Sequence, residues 1–136
     1  MIQSIGHICI MTTDLEETRK FYEDILKMPC KFKFIKNGVV MGYYFQINGS
    51  NFIEVFEAED PQINQSAIRH VCFEVRSIKP LRDHLKKSGL NVLEPKMGSD
   101  HTWQLWCKDP NGIDIEFQEY TDRSLQKVGG DCIVDW

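Results

Sequence analysis

The sequence predicts an α+β fold built from two tandem βαβββ modules, and three observations support this prediction. Residues 5–10 align with residues 68–73: each segment reads apolar, variable, His, β-branched, Cys, apolar, and 63 positions (70 − 7) separate the two histidines. One helical pattern and three strand patterns follow each segment. The two copies also end alike, with Ile-Glu-Val at 53–55 and Ile-Glu-Phe at 115–117.

Module 1 is expected to contain one helix and three further strands. The helix occupies residues 14–26, where apolar side chains recur at helical spacing. Asp14 is a suitable N-cap, and Glu17, three residues later, completes a capping box. The strand patterns lie at 30–35, 39–47 and 51–57, separated by Asn-Gly pairs at 37–38 and 48–49, which are strong hairpin signals.

Module 2 repeats this order. Its helix occupies residues 77–87, with Ser77 as the N-cap and Gly89 as the residue that ends it. The strand patterns lie at 91–93, 102–108 and 113–120, and Asp-Pro-Asn-Gly at 109–112 joins the last two.

Length and composition indicate a single domain spanning 1–136. The 136 residues are 42% hydrophobic and 26% charged, as in ordinary globular proteins. We expect module 1 at about 3–58, module 2 at about 67–120 and a C-terminal tail at 121–136. The tail has no counterpart in module 1, and its apolar end, Ile133 to Trp136, favours docking over free exposure.

Charge and composition exclude several classes of function. Sixteen basic and 20 acidic residues give a net charge of −4 without a basic run, which argues against nucleic acid as a partner. No apolar stretch has the length of a transmembrane helix and no signal-peptide pattern begins the chain, so we expect no membrane partner and a cytoplasmic location. The five cysteines form no CxxC pair, which favours reduced thiols.

Each module places one histidine on its first strand and one glutamate on its last strand. Side chains alternate along a strand, so the histidines share a face with the nearby cysteines, and the glutamates interrupt strands otherwise made of Phe, Ile and Val. Taken singly, such a histidine packs and such a glutamate faces solvent. Four coincident positions instead favour one site, in which a divalent cation offsets two buried carboxylates. The predicted metal ligands are His7, Glu54, His70 and Glu116.

The mixed nitrogen and oxygen donor set suits one divalent ion per chain, either Ni, Zn, Co, Mn or Fe. Candidate substrate-binding residues lie in the polar and aromatic segment 98–106, where Trp103, Gln104 and His101 suit stacking on, and hydrogen bonding to, a polyhydroxylated ligand. The alternative is that Trp103 and Trp106 simply pack on opposite faces of a strand. Glu74, on the predicted face of the second histidine, is a further acid–base or substrate-binding candidate.

Over about residues 3–120 the chain resembles the vicinal oxygen chelate superfamily, which includes glyoxalase I, methylmalonyl-CoA epimerase, fosfomycin-resistance transferases, extradiol dioxygenases and bleomycin-binding proteins. Residues 5–8, 69–75 and 109–117 carry the resemblance, together with the first helix. It implies that the modules form a curved mixed sheet around a metal site. It also implies a homodimer and, as in glyoxalase I, a site shared between subunits.

Glu54 discriminates among these relatives. The transferases and dioxygenases use three protein ligands, methylmalonyl-CoA epimerase tends to have Gln at this place, and a carboxylate there resembles glyoxalase I. The resemblance therefore implies a metal-dependent lyase or isomerase that abstracts a proton beside a carbonyl of a small-molecule substrate and stabilises an enediolate, with Glu116 as the base and Glu54 as its counterpart. The alternatives are a dioxygenase or thiol transferase, an epimerase-like enzyme, and a non-catalytic small-molecule-binding module.

The sequence departs from glyoxalase I at two places. Met-Thr-Thr at 11–13 stands where that enzyme has the arginine that holds glutathione. Acidic residues at 57, 59 and 60 follow Glu54, and their charge would repel a glutathione carboxylate. These departures argue against a glutathione-derived substrate.

Overall fold

The computed structural model describes residues 5–49, 51–60, 68 and 70–132. The chain forms two compact units, Met1–Ala67 and Ile68–Trp136. Each unit contains one four-stranded sheet and carries one predicted module. The α+β class and the tandem βαβββ order are therefore confirmed.

Module 1 begins with β1 (His7–Thr12) and α1 (Leu15–Arg19), and three strands follow: β2 (Cys30–Lys36), β3 (Val39–Asn48) and β4 (Asn51–Glu57). The strand order is β1-β4-β3-β2. β1 runs parallel to β4, whereas β2 and β3, and β3 and β4, are antiparallel hairpins. This topology brings the first and last strands of the module together at the sheet edge.

The first helix is confirmed, but its second half is not α-helical. After α1 the chain continues as a π-helical segment, Lys20–Ile25. There the Leu26 N–H donates to the Phe21 carbonyl at 2.9 Å, a spacing of five residues. Phe21 and Tyr22 in this segment are both buried. Both rings belong to the apolar stripe that the helical spacing predicts, and Tyr22 stacks on Phe45 of the sheet with centroids 6.0 Å apart.

Module 2 contains β5 (His70–Glu74), α2 (Ile78–Lys87), β6 (Lys96–Met97), β7 (Thr102–Lys108) and β8 (Asp114–Tyr120). Its sheet has the equivalent order β5-β8-β7-β6, with β5 parallel to β8. The prediction of a strand at 91–93 is wrong, because the edge strand is the short β6. Pro95, which has no amide hydrogen to donate to β7, separates residues 91–93 from β6.

The helix-capping predictions hold in part. The Asp14 carboxylate accepts from the Glu17 N–H at 2.8 Å, which confirms the N-cap of α1. The reciprocal half of the capping box is wrong, because the Asp14 N–H donates to Thr12 Oγ1 at 3.0 Å. Ser77 occupies the N-cap position of α2 without a side-chain cap bond. Glu119 of β8 replaces it: its Oε2 accepts from the Ile78 N–H at 2.7 Å.

The C-terminus of α2 ends as the sequence predicts. Gly89 has φ of +85°, a conformation that favours glycine. The Gly89 N–H donates to the Lys86 carbonyl at 3.0 Å, and the Leu90 N–H donates to the Leu85 carbonyl at 3.1 Å. This pair of bonds is the Schellman arrangement, which satisfies carbonyls that the helix leaves unpaired.

One face of each sheet forms the core against the helices. Strand alternation buries Phe45, Ile53 and Val55 in module 1, and Leu105 and Ile115 in module 2. The opposite face of each sheet carries the histidine and the glutamate, as the alternation predicts. No helix among the described residues combines the length and the apolar character needed to cross a membrane.

The described part of the tail, residues 121–132, docks on module 2. A short helix, α3 (Leu125–Val128), follows β8. The Leu125 N–H donates to the Asp100 carbonyl at 3.0 Å, and the Ser124 hydroxyl donates to the His101 carbonyl at 2.9 Å. Residues 133–136, on which the docking prediction was based, lie outside the described residues.

The Glu119 cap generates a stability prediction. Glu119→Ala removes the acceptor of the Ile78 N–H, so we expect the free energy of unfolding to fall by about 1–2 kcal/mol in urea titrations followed by circular dichroism. Glu57→Ala, at the equivalent position of module 1, is the matched control and should cost less, because Asp14 caps α1. Equal losses in the two variants would contradict the capping role.

Candidate functional site

In module 1 the parallel pairing of β1 with β4 brings a histidine beside a glutamate. Cys9 lies directly opposite Glu54 in the register, and His7 is two residues before Cys9 on the same face. The His7 Nε2 is 3.5 Å from the Glu54 Oε2. The Glu54 side chain is 16% exposed, so its carboxylate is largely removed from water and requires a polar or cationic partner.

Module 2 repeats this geometry through β5 and β8. Cys72 lies opposite Glu116 in the register, and the His70 Nε2 is 3.3 Å from the Glu116 Oε2. The Glu116 side chain is only 6% exposed. Its other oxygen, Oε1, accepts from the Gln118 Nε2 at 3.1 Å. The two modules therefore each contribute one His–Glu pair, and the second carboxylate is the more deeply buried.

Two aromatic residues contact these histidines, and neither was predicted as a site residue. Tyr44 lies opposite Glu54 in the β3–β4 register, and its hydroxyl is 3.1 Å from the His7 Nδ1. Trp106 lies opposite Glu116, and its ring meets the His70 ring edge to face with centroids 5.0 Å apart. The sequence does contain a signal for these two residues. Tyr44 and Trp106 occupy equivalent positions of the repeat, because they are 62 positions apart (106 − 44), as are Glu54 and Glu116 (116 − 54).

The spacing within each pair fits two ligands of one cation. Zn²⁺ holds imidazole nitrogen and carboxylate oxygen at about 2.1 Å, and two such atoms at a tetrahedral angle lie about 3.4 Å apart. The observed nitrogen–oxygen separations of 3.5 and 3.3 Å bracket this value. In the part of the chain that the structure describes, no group of three or more His, Cys, Asp or Glu side chains is arranged to hold a metal. Each module by itself thus offers two ligands.

The tyrosine hydroxyl supplies a further feature of a metal-binding histidine. Because Tyr44 contacts the Nδ1 of His7, the Nε2 remains directed at Glu54. Ligating histidines commonly hydrogen-bond through the second ring nitrogen, which fixes the ring orientation and the tautomer. His7 is therefore oriented to bind a cation through Nε2.

Burial and the neighbouring glutamates raise the pKa of the two thiols beside the histidines. Burial, with additional effects from the Glu54 carboxylate, raises the pKa of Cys9 to about 11. Burial and the Glu116 carboxylate raise the pKa of Cys72 to about 12. Both cysteines are therefore protonated near neutral pH, where a thiol is a weak ligand and a weak nucleophile.

Of the four predicted substrate-binding residues, two share the sheet face of Glu116 and two do not. Glu74 and Gln104 both lie opposite Gln118 in the register, and so share the face of Glu116. Trp103 occupies the opposite face of β7 from Gln104 and Trp106. His101 lies in the turn before β7 with φ of +60°, and its carbonyl accepts from Thr121 and Ser124. His101 therefore contacts the tail through its backbone carbonyl.

The site faces of the two modules differ in chemistry. In module 1 aromatic rings surround Glu54: Tyr44 stacks on Phe32 and Phe52 with centroids 4.5 and 4.7 Å apart. In module 2 the positions equivalent to Phe52 and Phe56 are Asp114 and Gln118. A cavity of about 320 Å³ adjoins Trp106 in module 2, lined by Asn91, Leu93, Trp106, Cys107, Lys108 and Asp114. Module 1 thus presents an aromatic face and module 2 a polar face.

Two curated proteins are similar to the chain in sequence. The uncharacterized protein YwkD of Bacillus subtilis (strain 168) is 28% identical over 131 residues, which cover 88% of this chain and 98% of that protein. The ethylmalonyl-CoA/methylmalonyl-CoA epimerase of Cereibacter sphaeroides is 40% identical over 57 residues, which cover 38% of this chain and 42% of the epimerase.

The fold is shared with solved structures. The crystal structure of a lactoylglutathione lyase from Agrobacterium tumefaciens superimposes with a TM-score of 0.67 at 17% identity, covering 87% of this chain and 94% of that one. At this identity the likeness concerns the fold. The model of the Glyoxalase/Bleomycin resistance protein/Dioxygenase superfamily matches residues 4–117, which span both modules from the first histidine to the second glutamate. The chain therefore belongs to the glyoxalase/bleomycin resistance protein/dioxygenase superfamily, as its repeated His and Glu positions predict.

Proposed function

We propose that the protein is a divalent-metal-dependent lyase or isomerase of the glyoxalase I type, which moves a proton beside a carbonyl group of a small-molecule substrate. One observation carries this proposal: each module holds a His–Glu pair whose donor atoms are separated as two ligands of one cation would be. The glutamate in module 1 supplies a fourth ligand. A four-ligand set favours this reaction over the three-ligand dioxygenases and transferases.

The proposed centre takes one Ni, Zn, Co, Mn or Fe ion per chain, with His7, Glu54, His70 and Glu116 as ligands. Because each module offers only two of them, the set is complete only when module 1 and module 2 combine, within one chain or between the copies of a homodimer. The reaction belongs to the cytoplasm in this proposal, which the five unpaired cysteines support. Neither nucleic acid nor a membrane is a proposed partner.

A bound divalent cation supplies Lewis acidity, which stabilises the negative charge that develops on a substrate oxygen. Glu116 is the proposed base, because its carboxylate is buried and therefore lacks competing water. Once protonated, Glu116 returns the proton to the neighbouring carbon, and Glu54 is its counterpart on the opposite side of the proposed centre. Tyr44 keeps His7 oriented while Glu116 takes up and releases the proton.

We expect the substrate to contact both the polar face of module 2 and the aromatic face of module 1. Glu74 and Gln104 supply polar groups on the face of Glu116. Trp106 shares this face and also lines the cavity of module 2. The aromatic rings around Glu54 favour an apolar part of the substrate. The acidic residues after β4 make glutathione a poor fit, so a small hydroxy- or oxo-carbonyl compound is preferred.

A second candidate is epimerisation of an acyl-CoA. The similarity of a 57-residue segment to the ethylmalonyl-CoA/methylmalonyl-CoA epimerase supports it. This reaction also abstracts a proton beside a carbonyl. The carboxylate of Glu54 favours the first candidate, because methylmalonyl-CoA epimerase tends to have Gln at this place. Proton exchange in D₂O, followed by ¹H NMR with α-hydroxycarbonyl compounds, thiohemiacetals and methylmalonyl-CoA as substrates, distinguishes the two. Exchange of none of these by the metal-loaded protein would contradict both.

The ligand set generates a prediction about metal affinity. Calorimetric titration with Zn²⁺ or Ni²⁺ should give about one ion per chain. Glu54→Gln and Glu116→Gln should each weaken binding by more than the roughly 10- to 100-fold that loss of an outer hydrogen bond costs, because each removes a charged ligand. Glu57→Gln is the control, since this exposed glutamate lies outside the proposed set. Unchanged affinity in Glu54→Gln would favour a three-ligand dioxygenase or transferase. A tightly held small molecule, with no turnover after its removal, would favour a non-catalytic binding module, and no metal binding would contradict the proposal.

Tyr44 generates a prediction about the His7 ring. In the metal-free protein we expect the His7 proton on Nε2, because the ionised Glu54 carboxylate beside it can only accept, and we therefore expect the Tyr44 hydroxyl to donate to Nδ1; ¹⁵N NMR reports this tautomer. Tyr44→Phe removes this donor while keeping the aromatic ring. We expect a mixture of His7 tautomers and a loss of metal affinity of roughly 10-fold. Tyr120→Phe, in module 2, is the matched control, and an equal effect there would argue against the Tyr44 contact.

A further inference from the structure

The carboxylate of Glu116 is held by a neighbour on its own strand. Gln118 lies two residues further along β8, so its side chain projects on the same face. Its Nε2 donates to Glu116 Oε1 at 3.1 Å, which leaves Glu116 Oε2 directed at His70. The orientation of the Gln118 amide therefore determines which carboxylate oxygen is available to the site.

A second glutamine, from the C-terminal tail, contacts the first. Gln126 of α3 donates through Nε2 to Gln118 Oε1 at 3.4 Å and to Asp100 Oδ2 at 2.7 Å. Its Oε1 accepts from the Thr102 hydroxyl at 2.9 Å. These contacts assign the two ends of the Gln126 amide, so the nitrogen faces Gln118. The Gln118 oxygen then faces Gln126, and its nitrogen faces Glu116.

The helix that carries Gln126 is fixed to the segment before β7. The Leu125 N–H donates to the Asp100 carbonyl, and Ser124 and Thr121 both donate to the His101 carbonyl. Ser124 is fully buried. The tail is thus anchored by backbone and side-chain bonds to Asp100 and His101, and Gln126 lies against β8.

Module 1 has no equivalent arrangement. Phe56 stands where module 2 has Gln118, so a side chain without hydrogen-bonding atoms replaces the amide. The family match ends at residue 117, before both glutamines. The two glutamines therefore distinguish Glu116 from Glu54: Gln118 replaces Phe56 within the repeat, and Gln126 lies in the tail, outside it.

We propose that the C-terminal tail positions Glu116 for its role through the glutamine pair, Gln126 and Gln118. Both are positioning residues, since they act on the carboxylate of Glu116 and not on the substrate. The inference rests on the proposed function in giving Glu116 the roles of ligand and base. The hydrogen bonds themselves are independent of that function.

A double-mutant cycle tests this proposal. Gln118→Leu should weaken Zn²⁺ binding roughly 10-fold, and Gln126→Ala by about threefold, because each loosens the orientation of the carboxylate. The double variant should bind no more than about twofold more weakly than Gln118→Leu, since Gln126 acts through Gln118. Lys127→Ala, the next residue of α3, is the control and should bind Zn²⁺ as the unaltered protein does. Gln126→Met keeps the length of the side chain without adding a charge beside Asp100 and removes the donor to Gln118, so it replaces Gln126→Ala if that variant does not fold.

A measurement on the metal-free protein separates this proposal from the proposed function. The side-chain NH₂ signals of Gln118 should shift in ¹⁵N spectra of both Gln126→Ala and Glu116→Gln, and stay in place in Lys127→Ala. Unmoved signals, or affinity losses that multiply fully in the double variant, would overturn the proposal. Shifted signals in a protein that binds no divalent cation would support the glutamine pair while the proposed function failed.

Discussion

The parallel pairing of the first and last strands of each module is the constraint on which the candidate site depends. It brings a histidine of β1 beside a glutamate of β4, and a histidine of β5 beside a glutamate of β8, although more than 40 residues separate the partners in sequence. Parallel strands require a long connection, and the helix with its two hairpin strands supplies it. The helix also covers the opposite sheet face, so the buried core and the His–Glu pair lie on opposite faces of the same pair of strands.

The repeat places a similar His–Glu pair in each module, but the residues that surround the two pairs differ. Glu54 lies among stacked aromatic rings, whereas Glu116 lies among amides and is held by Gln118. Burial of a carboxylate is tolerated where polar groups compensate its lost hydration. Module 1 provides few such groups besides His7, and module 2 provides several. Identical residues in a duplicated framework are therefore compatible with the proposed roles, in which Glu54 binds the cation and Glu116 also transfers the proton.

Much of the fold was predictable because it depends on local patterns. Strand alternation and Asn-Gly turns determined β2, β3 and β4 to within a residue or two, and the offset between the modules identified both His–Glu pairs. What the sequence did not reveal depends on contacts between distant residues. Glu119 caps a helix that begins 41 positions earlier, and Gln126 reaches β8 from the tail. Trp106 was seen in the sequence, but its contact with His70 required the register of β5, β8 and β7.

The strand order has a consequence for how each module folds. The β2–β3 and β3–β4 hairpins join residues close in sequence, whereas the pairing of Cys9 with Glu54 closes a loop of 45 residues (54 − 9). Closing the longer loop costs more chain entropy, so we expect the hairpins to form before the outer strand docks. In this order His7 meets Glu54 only in the last step of assembly. A nascent or partly unfolded chain accordingly lacks the adjacent His–Glu pair, which belongs to the finished module.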